Sequence, residues 1–547
     1  MTHPARTLLI TAPLLLFFFF SDVPHAAGGE TLYNGIQLPD HWPPRPEQFA
    51  REEPVTPPWL VDPPGVIPID VGRQLFVDDF LIEETTLERT FHQPVYHPAC
   101  PVLRAETPWE HHRARDIPFA APFSDGVWHD PGDDLLKMWY MAGTGLTFGY
   151  ATSEDGIRWQ RPTLFPERAG GENILLLEPI SRDSSTVWLD LNETDPSRRF
   201  KMMYYRAGLQ MRVSPDGIDW SESLGAPGPA SDRNTFFYNP FRNVWVYSIR
   251  LGGGRGVGRA RYYFESTEFG VPLWENRNDL SRWACADRLD RVKEIEYTDE
   301  LPDLYNLDAT PYESLMLGLF SIHAKVAEGN RPKINYVTLG YSRDGFHWHR
   351  PDRRPFLDVS EDDTAWNYGN VQSAGGGCLV MGDKLYFYCS GRNSGRTPDD
   401  GTGGSTGLAI LRRDGFASVD AGPQGGTLTT RPLTFTGRHL FVNTDCPAGS
   451  LRAELLDRDG QPIAPFTLEN SVSLKEDAVL AEMTWKGVTD LSALAGKTVR
   501  VRFHLQNGSL YSFWVSPETT GASHGYVAAG GPGFTGHRDT VGQTPPQ

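Results

Sequence analysis

The segment Ser153-Glu-Asp-Gly-Ile-Arg-Trp159 recurs along the chain and decides the fold class. Two further copies of its Ser-x-Asp-Gly-x-x-Trp pattern begin at Ser214 and Ser342, and two looser copies begin at Ser266 and Arg412. Gly adopts positive φ freely and an Asp side chain bonds nearby amides, so the pattern predicts a tight turn between strands. The copies start 61, 52, 76 and 70 residues apart. This spacing is too irregular for a solenoid and favours four-stranded propeller blades with variable loops.

Each copy follows runs that are dense in aromatic, β-branched and Met residues, which is typical of strands. The middle runs are Leu136–Met141, Phe200–Tyr205, Val244–Ser248, Leu315–Phe320 and Lys384–Cys389. Helical periodicity is almost absent. We therefore predict an all-β chain with a five-bladed β-propeller over residues 71–424. The run Gln74–Ile82, which precedes the first blade, is our candidate for closing the ring against the last blade.

The remaining segments differ from the repeats in amino-acid composition and in the pattern of apolar residues. Residues 28–70 are rich in proline and predict an extended surface arm. Residues 425–516 contain short alternating strands, which predict a C-terminal β-sandwich. Residues 517–547 are rich in Gly, Thr and Pro and predict a disordered tail.

The first 27 residues contain one positive charge, an apolar run over Leu8–Phe20 and a small-residue end. This pattern predicts a secretory signal peptide that is too short to span a bilayer, with an N-terminal anchor as the alternative. The expected location is secreted or periplasmic, with no membrane association after cleavage. A net charge of −18 argues against nucleic acid as a partner.

Five cysteines give no disulfide framework, and no CxxC or HExxH spacing occurs. We therefore predict neither a metal site nor a cofactor. The sequence leaves the oligomeric state open.

The inner strand of each blade enters a propeller from one face, so residues at the five blade openings converge on a central funnel. Four openings carry a carboxylate, and the first three pair it with an arginine. The catalytic candidates are Asp116, Asp183, Glu313, Asp232 and Asp79, and the substrate-binding candidates are Arg182, Arg233, Arg250, Trp188, Trp366 and Tyr312.

Acids gathered at one rim push their pKa values apart, and glycoside cleavage needs one protonated and one ionised carboxyl group. Aromatic rings near the openings suit stacking on sugar faces. The alternative is that each Asp only caps a turn by bonding backbone amides.

Five segments carry a resemblance to a known family: Leu75–Ile82, Arg182–Trp188, Asp232–Pro240, Tyr312–Phe320 and Gly407–Phe416. They resemble secreted bacterial proteins of the glycoside hydrolase family 32-like type, which are common in planctomycetes and distantly similar to the family 32, 43 and 68 propeller glycosidases. Arg182-Asp183 is similar to the Arg-Asp-Pro motif of those enzymes, with Ser184 in place of Pro. Their Trp-Met-Asn-Asp-Pro-Asn-Gly signature and their Glu-Cys pair are absent.

The resemblance implies a secreted glycosidase acting on a plant or algal poly- or oligosaccharide. Asp183 would stabilise the transition state, Asp116 or Asp79 would be the base or nucleophile, and Glu313 would be the acid with Asp232 in reserve. The alternatives are a non-catalytic carbohydrate-binding propeller and a cell-surface scaffold.

Overall fold

Strands dominate the computed structural model, which describes residues 29–111, 118–143, 147–165, 173–175, 182–252, 258–293, 296–326, 334–393 and 403–542. The described helices are a single α-helical turn and four 3₁₀ turns: Pro58–Val61, Pro196–Arg198, Arg277–Asp279, Arg288–Asp290 and Ser492–Leu494. The all-β propeller prediction is confirmed. The predicted signal peptide lies outside the described residues. Within those residues, no helix has the length and apolar character needed to cross a membrane.

Five groups of antiparallel strands form the blades, each named in chain order. Blade 1 contains Phe119–Asp130, Leu135–Ala142, Thr147–Ser153 and Ile174–Leu175, and blade 2 contains Ser185–Leu189, Phe200–Tyr205 and Leu209–Ser214. Blade 3 contains Thr235–Asn239, Val244–Ile249, Ala260–Ser266 and Ser281–Cys285, and blade 4 contains Asp303–Glu313, Leu315–His323 and Asn335–Ser342. Blade 5 contains Asn370–Ser373, Leu379–Met381, Lys384–Arg392 and Gly404–Arg412.

Hydrogen bonds link the blades to one another around a closed ring. Going round from blade 1, the linked pairs are Asp125 with Arg182, Ser184 with Asn234, Thr235 with Leu307, Asp308 with Ser373, and Thr406 with Ala120. Blades 5 and 1 also share a parallel pairing of Gly404 with Phe119. The five blades therefore form a closed ring, and we call the region that its inner strands surround the channel. We call the end where the inner strands begin the mouth, and the opposite end the far end.

The strand that completes the last blade differs from our candidate. Val95–Tyr96 adds to blade 5, with Tyr96 opposite Ala409. Gln74–Leu75, which we expected in this role, pairs instead with Phe513 and Ser512 in the sandwich. The N-terminal segment thus contributes a strand to the sandwich first and a strand to blade 5 afterwards.

The repeated Ser-x-Asp-Gly turns lie at the far end and are structural. In the first copy Gly156 N donates to Ser153 Oγ at 2.9 Å, and Ile157 N donates to Asp155 Oδ1 at 2.8 Å. Gly156 has φ +73°, which a side chain would strain. Tyr388 of blade 5 donates to the Gly156 carbonyl at 2.6 Å, so the turn also joins neighbouring blades.

The sandwich is built from two separate parts of the chain. One sheet has the order Asp477–Met483, His439–Asp445, Gly508–Ser516, Ala417–Ala421 and Glu88–Phe91, with Gln74–Leu75 also on Gly508–Ser516. The other has the order Ser450–Leu456, Arg500–Gln506, Gly426–Thr430 and Ile82–Thr85, and a parallel pair joins Ile67–Pro68 to Leu433–Thr434. Both sheets share one apolar core.

These pairings revise our domain boundaries of 71–424 and 425–516. Residues 67–91 belong to the sandwich, and the sandwich resumes at Ala417. The Pro-rich arm is also less superficial than expected, because Leu32, Ile36 and Leu38 are buried against the sandwich core.

The tail beyond residue 516, which we predicted to be disordered, is described as far as residue 542 and is packed against the propeller. Tyr526–Val527 pairs with the end of the blade 4 inner strand, Val527 lying opposite Tyr312. His129 N donates to the Ala529 carbonyl at 2.9 Å. Gly531 allows the tail to approach blade 5 closely, since a side chain there would collide with the Val380 carbonyl oxygen. The five cysteines are free, as their spacing predicted.

Candidate functional site

Asp125 reaches the channel from a bulge in the blade 1 inner strand. The strand register shifts between Ala121 and Gly126, and Ser124 in this interval has φ +67°. Bulges re-aim side chains, and the bulge here lets Asp125 pair with Arg182 of blade 2. Arg182 Nη1 lies 2.8 Å from Oδ1, and both side chains are fully buried. Burial raises the pKa of the Asp125 carboxyl above its ordinary value despite this ion pair.

Asp308, in the middle of the blade 4 inner strand, is the second buried carboxylate. Its Oδ2 accepts hydrogen bonds from Ser373, from Ser124 at 3.1 Å and from Asn306 Nδ2 at 3.0 Å. Its Oδ1 is buried without a hydrogen-bond partner among the described residues. Burial raises the pKa of Asp308 to about 6, although the serine hydroxyls and the positive charge of Arg233 oppose the shift. A proton on Asp308 therefore belongs on Oδ1.

Arg233 holds the centre of the ring together. Its Nη1 donates to the Phe123 carbonyl at 3.2 Å and its Nη2 donates to Gln372, while its guanidinium lies 3.6 Å from the Phe123 ring centroid. The residue is fully buried and has φ +59°, an uncommon conformation for Arg. Its carbonyl accepts from Arg261, another fully buried arginine. The surroundings thus fix this cation at a definite position.

Asp183 and Asp232 lie nearer to solvent at the mouth, where both are partly exposed. Asp183 Oδ1 accepts from Ser184 N at 2.8 Å, and its negative charge acts on Arg233 and Arg250. Asp232 forms an ion pair with Arg250. Asp183 thus has no ion-pair partner among the described residues, whereas Asp232 has one in Arg250.

The structure brings five of the predicted residues together at the mouth: Asp183, Asp232, Arg182, Arg233 and Arg250. Asp116 lies outside the described residues.

Glu313 and Tyr312, predicted as acid and sugar-stacking residue, lie at the far end. The blade 4 inner strand spans eleven residues, Asp303–Glu313, and such a strand is about 33 Å long at roughly 3.3 Å per residue. Glu313 is fully buried, 3.2 Å from Arg413 Nη2. Tyr312 donates to Asp414 at 2.6 Å. Both serve the junction of propeller, sandwich and tail.

Three other candidates do not line the mouth. Asp79 lies on the sandwich, with its side chain 70% exposed and paired with Arg89. Trp188 packs against Trp128 at the far end, with ring centroids 4.6 Å apart. Trp366 covers the blade 5 strands, where its ring occupies the space that a side chain at Gly391 would need.

Sequence reasoning missed Asp125, Asp308 and the nearby Tyr305 as site residues. Ser124-Asp125-Gly126 has the composition of a hairpin turn, so its bulge within an inner strand was hidden. Asp308 lies inside Leu304–Glu313, the blade 4 opening from which we chose Glu313. Counting residues from the strand start would have favoured Asp308.

No protein-family model matches the chain, and no curated protein matches it. Among solved structures, a glycosyl hydrolase from Bacteroides ovatus is 15% identical, with a TM-score of 0.38 over 62% of this chain and 97% of that chain. The β-1,2-mannobiose phosphorylase from Listeria innocua is 12% identical, with a TM-score of 0.39 over 59% of this chain and 97% of that chain. At such identity the likeness concerns the fold alone, and it does not single out glycoside hydrolase family 32. The chemistry must be argued from the mouth itself.

Proposed function

We propose that the protein is a glycoside hydrolase whose reaction takes place at the mouth of the propeller channel. Asp308 donates the proton to the leaving glycosidic oxygen. Asp183 is the second carboxyl group, which acts on the anomeric carbon or on the attacking water. Asp308 thus replaces Glu313 in the role of acid.

The observation that carries this proposal is the contrast between these two carboxyl groups. Asp308 is buried with a pKa of about 6, so it holds a proton in mildly acidic solution. Asp183 is partly exposed and lies close to the guanidinium groups of Arg233 and Arg250. Two carboxyl groups in opposite protonation states are what glycoside cleavage requires.

The hydrogen bonds of Asp308 suit a proton donor. All three described donors, from Ser124, Ser373 and Asn306, point at Oδ2. A proton on Oδ1 is therefore not shared with a protein acceptor among the described residues. A turn-capping Asp would instead bond nearby backbone amides, and no such bond to Asp308 occurs in the described part of the chain.

The test is a product screen with oligosaccharides and aryl glycosides, comparing the wild type with Asp308→Asn. General acid catalysis contributes roughly 10²- to 10⁴-fold, so Asp308→Asn should lose about that factor on oligosaccharides. It should lose far less on aryl glycosides whose leaving group needs no protonation. Asp183→Asn should lose activity on both substrate types.

The matched control is Asp79→Asn, since this carboxylate is exposed on the sandwich. It should retain wild-type activity. Wild-type turnover in Asp308→Asn would overturn the assignment of the acid. Sugar binding without any product from the wild type would favour the non-catalytic carbohydrate-binding alternative.

Secretion is part of the proposal, because it rests on the N-terminal sequence pattern alone. Release of the mature chain from cells that express the full sequence would test it. The N-terminal residue of the released protein should lie close to position 28.

A further inference from the structure

Guanidinium groups converge on one tyrosine at the mouth. Arg259 Cζ lies 4.4 Å and Arg233 Cζ lies 5.6 Å from the ring centroid of Tyr305. Burial alone would raise the pKa of the Tyr305 hydroxyl, but the charges of Arg233, Arg259 and Arg392 outweigh it and hold this pKa below 10. At Tyr305 the charges of these three arginines thus outweigh both burial and the negative charge of Asp183.

Carboxylates near these arginines, such as Asp183 and Asp308, act on them without direct ion pairs to all of them. Two arginines of the mouth, Arg182 and Arg250, each form an ion pair with an aspartate. For Arg233, Arg259 and Arg261, by contrast, no carboxylate lies within ion-pair distance among the described residues. Burial and the neighbouring arginines lower the pKa of Arg261 to about 9. Within the described ranges, three arginines thus share a site without a direct ion pair to a carboxylate.

Several guanidinium donors in the same place are unused. Arg233 Nε, Arg250 Nε and Arg259 Nη1 are buried and have no hydrogen-bond acceptor within the described ranges. A buried donor without an acceptor costs free energy, and an unbalanced buried charge costs more. A ligand that accepts these hydrogen bonds and carries negative charge would offset both costs.

The positive mouth is not a by-product of a basic chain, because the protein carries a net charge of −18. A local excess of arginine on an acidic protein points to one anionic group at this position. Arginine is suited to such a group, since its planar fork bonds two oxygens of a carboxylate or sulfate at once.

We infer that the mouth binds an oxyanion carried by the sugar, so that the substrate class is an acidic carbohydrate with a carboxylate or sulfate group. The inference rests on the proposed function, whose substrate it narrows. Arg233 and Arg259 hold the oxyanion beside Tyr305, and Asp308 and Asp183 lie in the same funnel to act on the glycosidic bond.

The test measures binding to the full chain by saturation-transfer NMR with competition. The probes are glucuronate, galacturonate and galactose 6-sulfate, their neutral counterparts glucose and galactose, and inorganic phosphate and sulfate. At least one acidic sugar should bind tenfold or more tightly than its neutral counterpart. Raising the salt concentration should weaken this preference.

The variant is Arg259→Gln, because this side chain lies at the partly exposed rim and its loss should leave the ring folded. It should reduce acidic-sugar binding about tenfold, to the level of the neutral sugar. Arg158→Gln is the control, since Arg158 is 89% exposed in a far-end turn. Its binding should equal that of the wild type.

Equal binding of acidic and neutral sugars, or unchanged binding in Arg259→Gln, would overturn the inference. Binding of inorganic phosphate or sulfate with no acidic sugar able to displace it would also overturn it, because the anion would then be free and not sugar-borne. Cleavage of neutral oligosaccharides that is unaffected by Arg259→Gln would contradict the inference of an acidic substrate but would support the proposed hydrolase function. Arg259-dependent binding of acidic sugars that the protein does not cleave would support the oxyanion site and contradict the proposed hydrolase function.

Discussion

At the scale of single residues, Ser373 lowers the pKa of Asp308, the proposed acid. Its hydroxyl donates to Asp308 Oδ2, and this hydrogen bond lowers the pKa of Asp308 against the larger effect of burial. The acid must be protonated, so activity should fall as the pH rises through about 6. Ser373→Ala removes a donor to the charged form and should move this alkaline limb to higher pH. The measurement is kcat/KM against pH on an oligosaccharide.

Ser390→Ala is a matched control for that experiment. Ser390 is also a buried serine of blade 5, but its hydroxyl has no hydrogen-bond partner among the described residues. Its removal should leave the alkaline limb where the wild type has it. A limb that moves to lower pH in Ser373→Ala would contradict the proposed role of Asp308.

Asp308 should also weaken the fold at neutral pH. Its pKa is raised from 3.8 to about 6, so the folded state binds this proton more tightly than the unfolded state. The stability it contributes is present below about pH 4 and is lost as the pH rises towards 6. A shift of roughly two pKa units corresponds to about 3 kcal/mol. Asp308→Asn should therefore raise the unfolding midpoint at pH 7.

The pH dependence of the stability gained by Asp308→Asn tests whether the buried charge of Asp308 is its cause. The difference between Asp308→Asn and the wild type should shrink towards zero at pH 4, where both side chains are neutral. A gain of the same size at pH 4 and pH 7 would show that packing, and not the buried charge, is responsible. Thermal unfolding followed by circular dichroism at the two pH values measures both.

At the scale of elements, the blades were predictable because their signal is local. The Ser-x-Asp-Gly turns and the aromatic middle strands depend on residues within a few positions of one another. The distance that an inner strand spans does not depend on such local patterns. Asp303–Glu313 crosses the whole channel, so Glu313 reaches the far end while Asp308 stays inside. The bulge at Asp125 could not be predicted, because its Asp-Gly pair indicates a turn although it lies inside a strand.

The junction below the ring depends on a buried ion network between elements. Arg413 of the last repeated turn lies 2.8 Å from Asp539 of the tail and 3.2 Å from Glu313 of blade 4. Arg413→Met would leave two buried carboxylates without this cation, and breaking such a pair costs about 3–5 kcal/mol. We expect a lower midpoint in denaturant unfolding and faster proteolysis of residues 517–542.

Arg158→Met is the control for the network, because its ion pair with Asp155 lies at the surface with Arg158 89% exposed. Surface pairs contribute little, so its unfolding midpoint should match that of the wild type. Equal effects of the two substitutions would mean that the network is not what secures the tail.

At the scale of the whole molecule, the ring and the sandwich are interleaved along the chain. Gln74–Leu75, Ile82–Thr85 and Glu88–Phe91 complete the sandwich, and Val95–Tyr96 then completes blade 5. Composition marks a change near residue 425, but it cannot show that a sheet takes strands from more than 300 residues earlier. Pairings of that separation leave no trace in local sequence pattern.

This interleaving predicts that residues 425–516 do not fold alone. That fragment lacks Ile82–Thr85 at the edge of one sheet, Ala417–Ala421 and Glu88–Phe91 in the other, and the buried side chains of Phe76, Phe80 and Leu81. It should show no cooperative unfolding by circular dichroism. Residues 67–91 joined by a flexible linker to 417–516 restore those strands and that core, so this fusion should unfold cooperatively. A cooperative transition in 425–516 alone would refute the prediction, because the core would then be complete without the N-terminal strands.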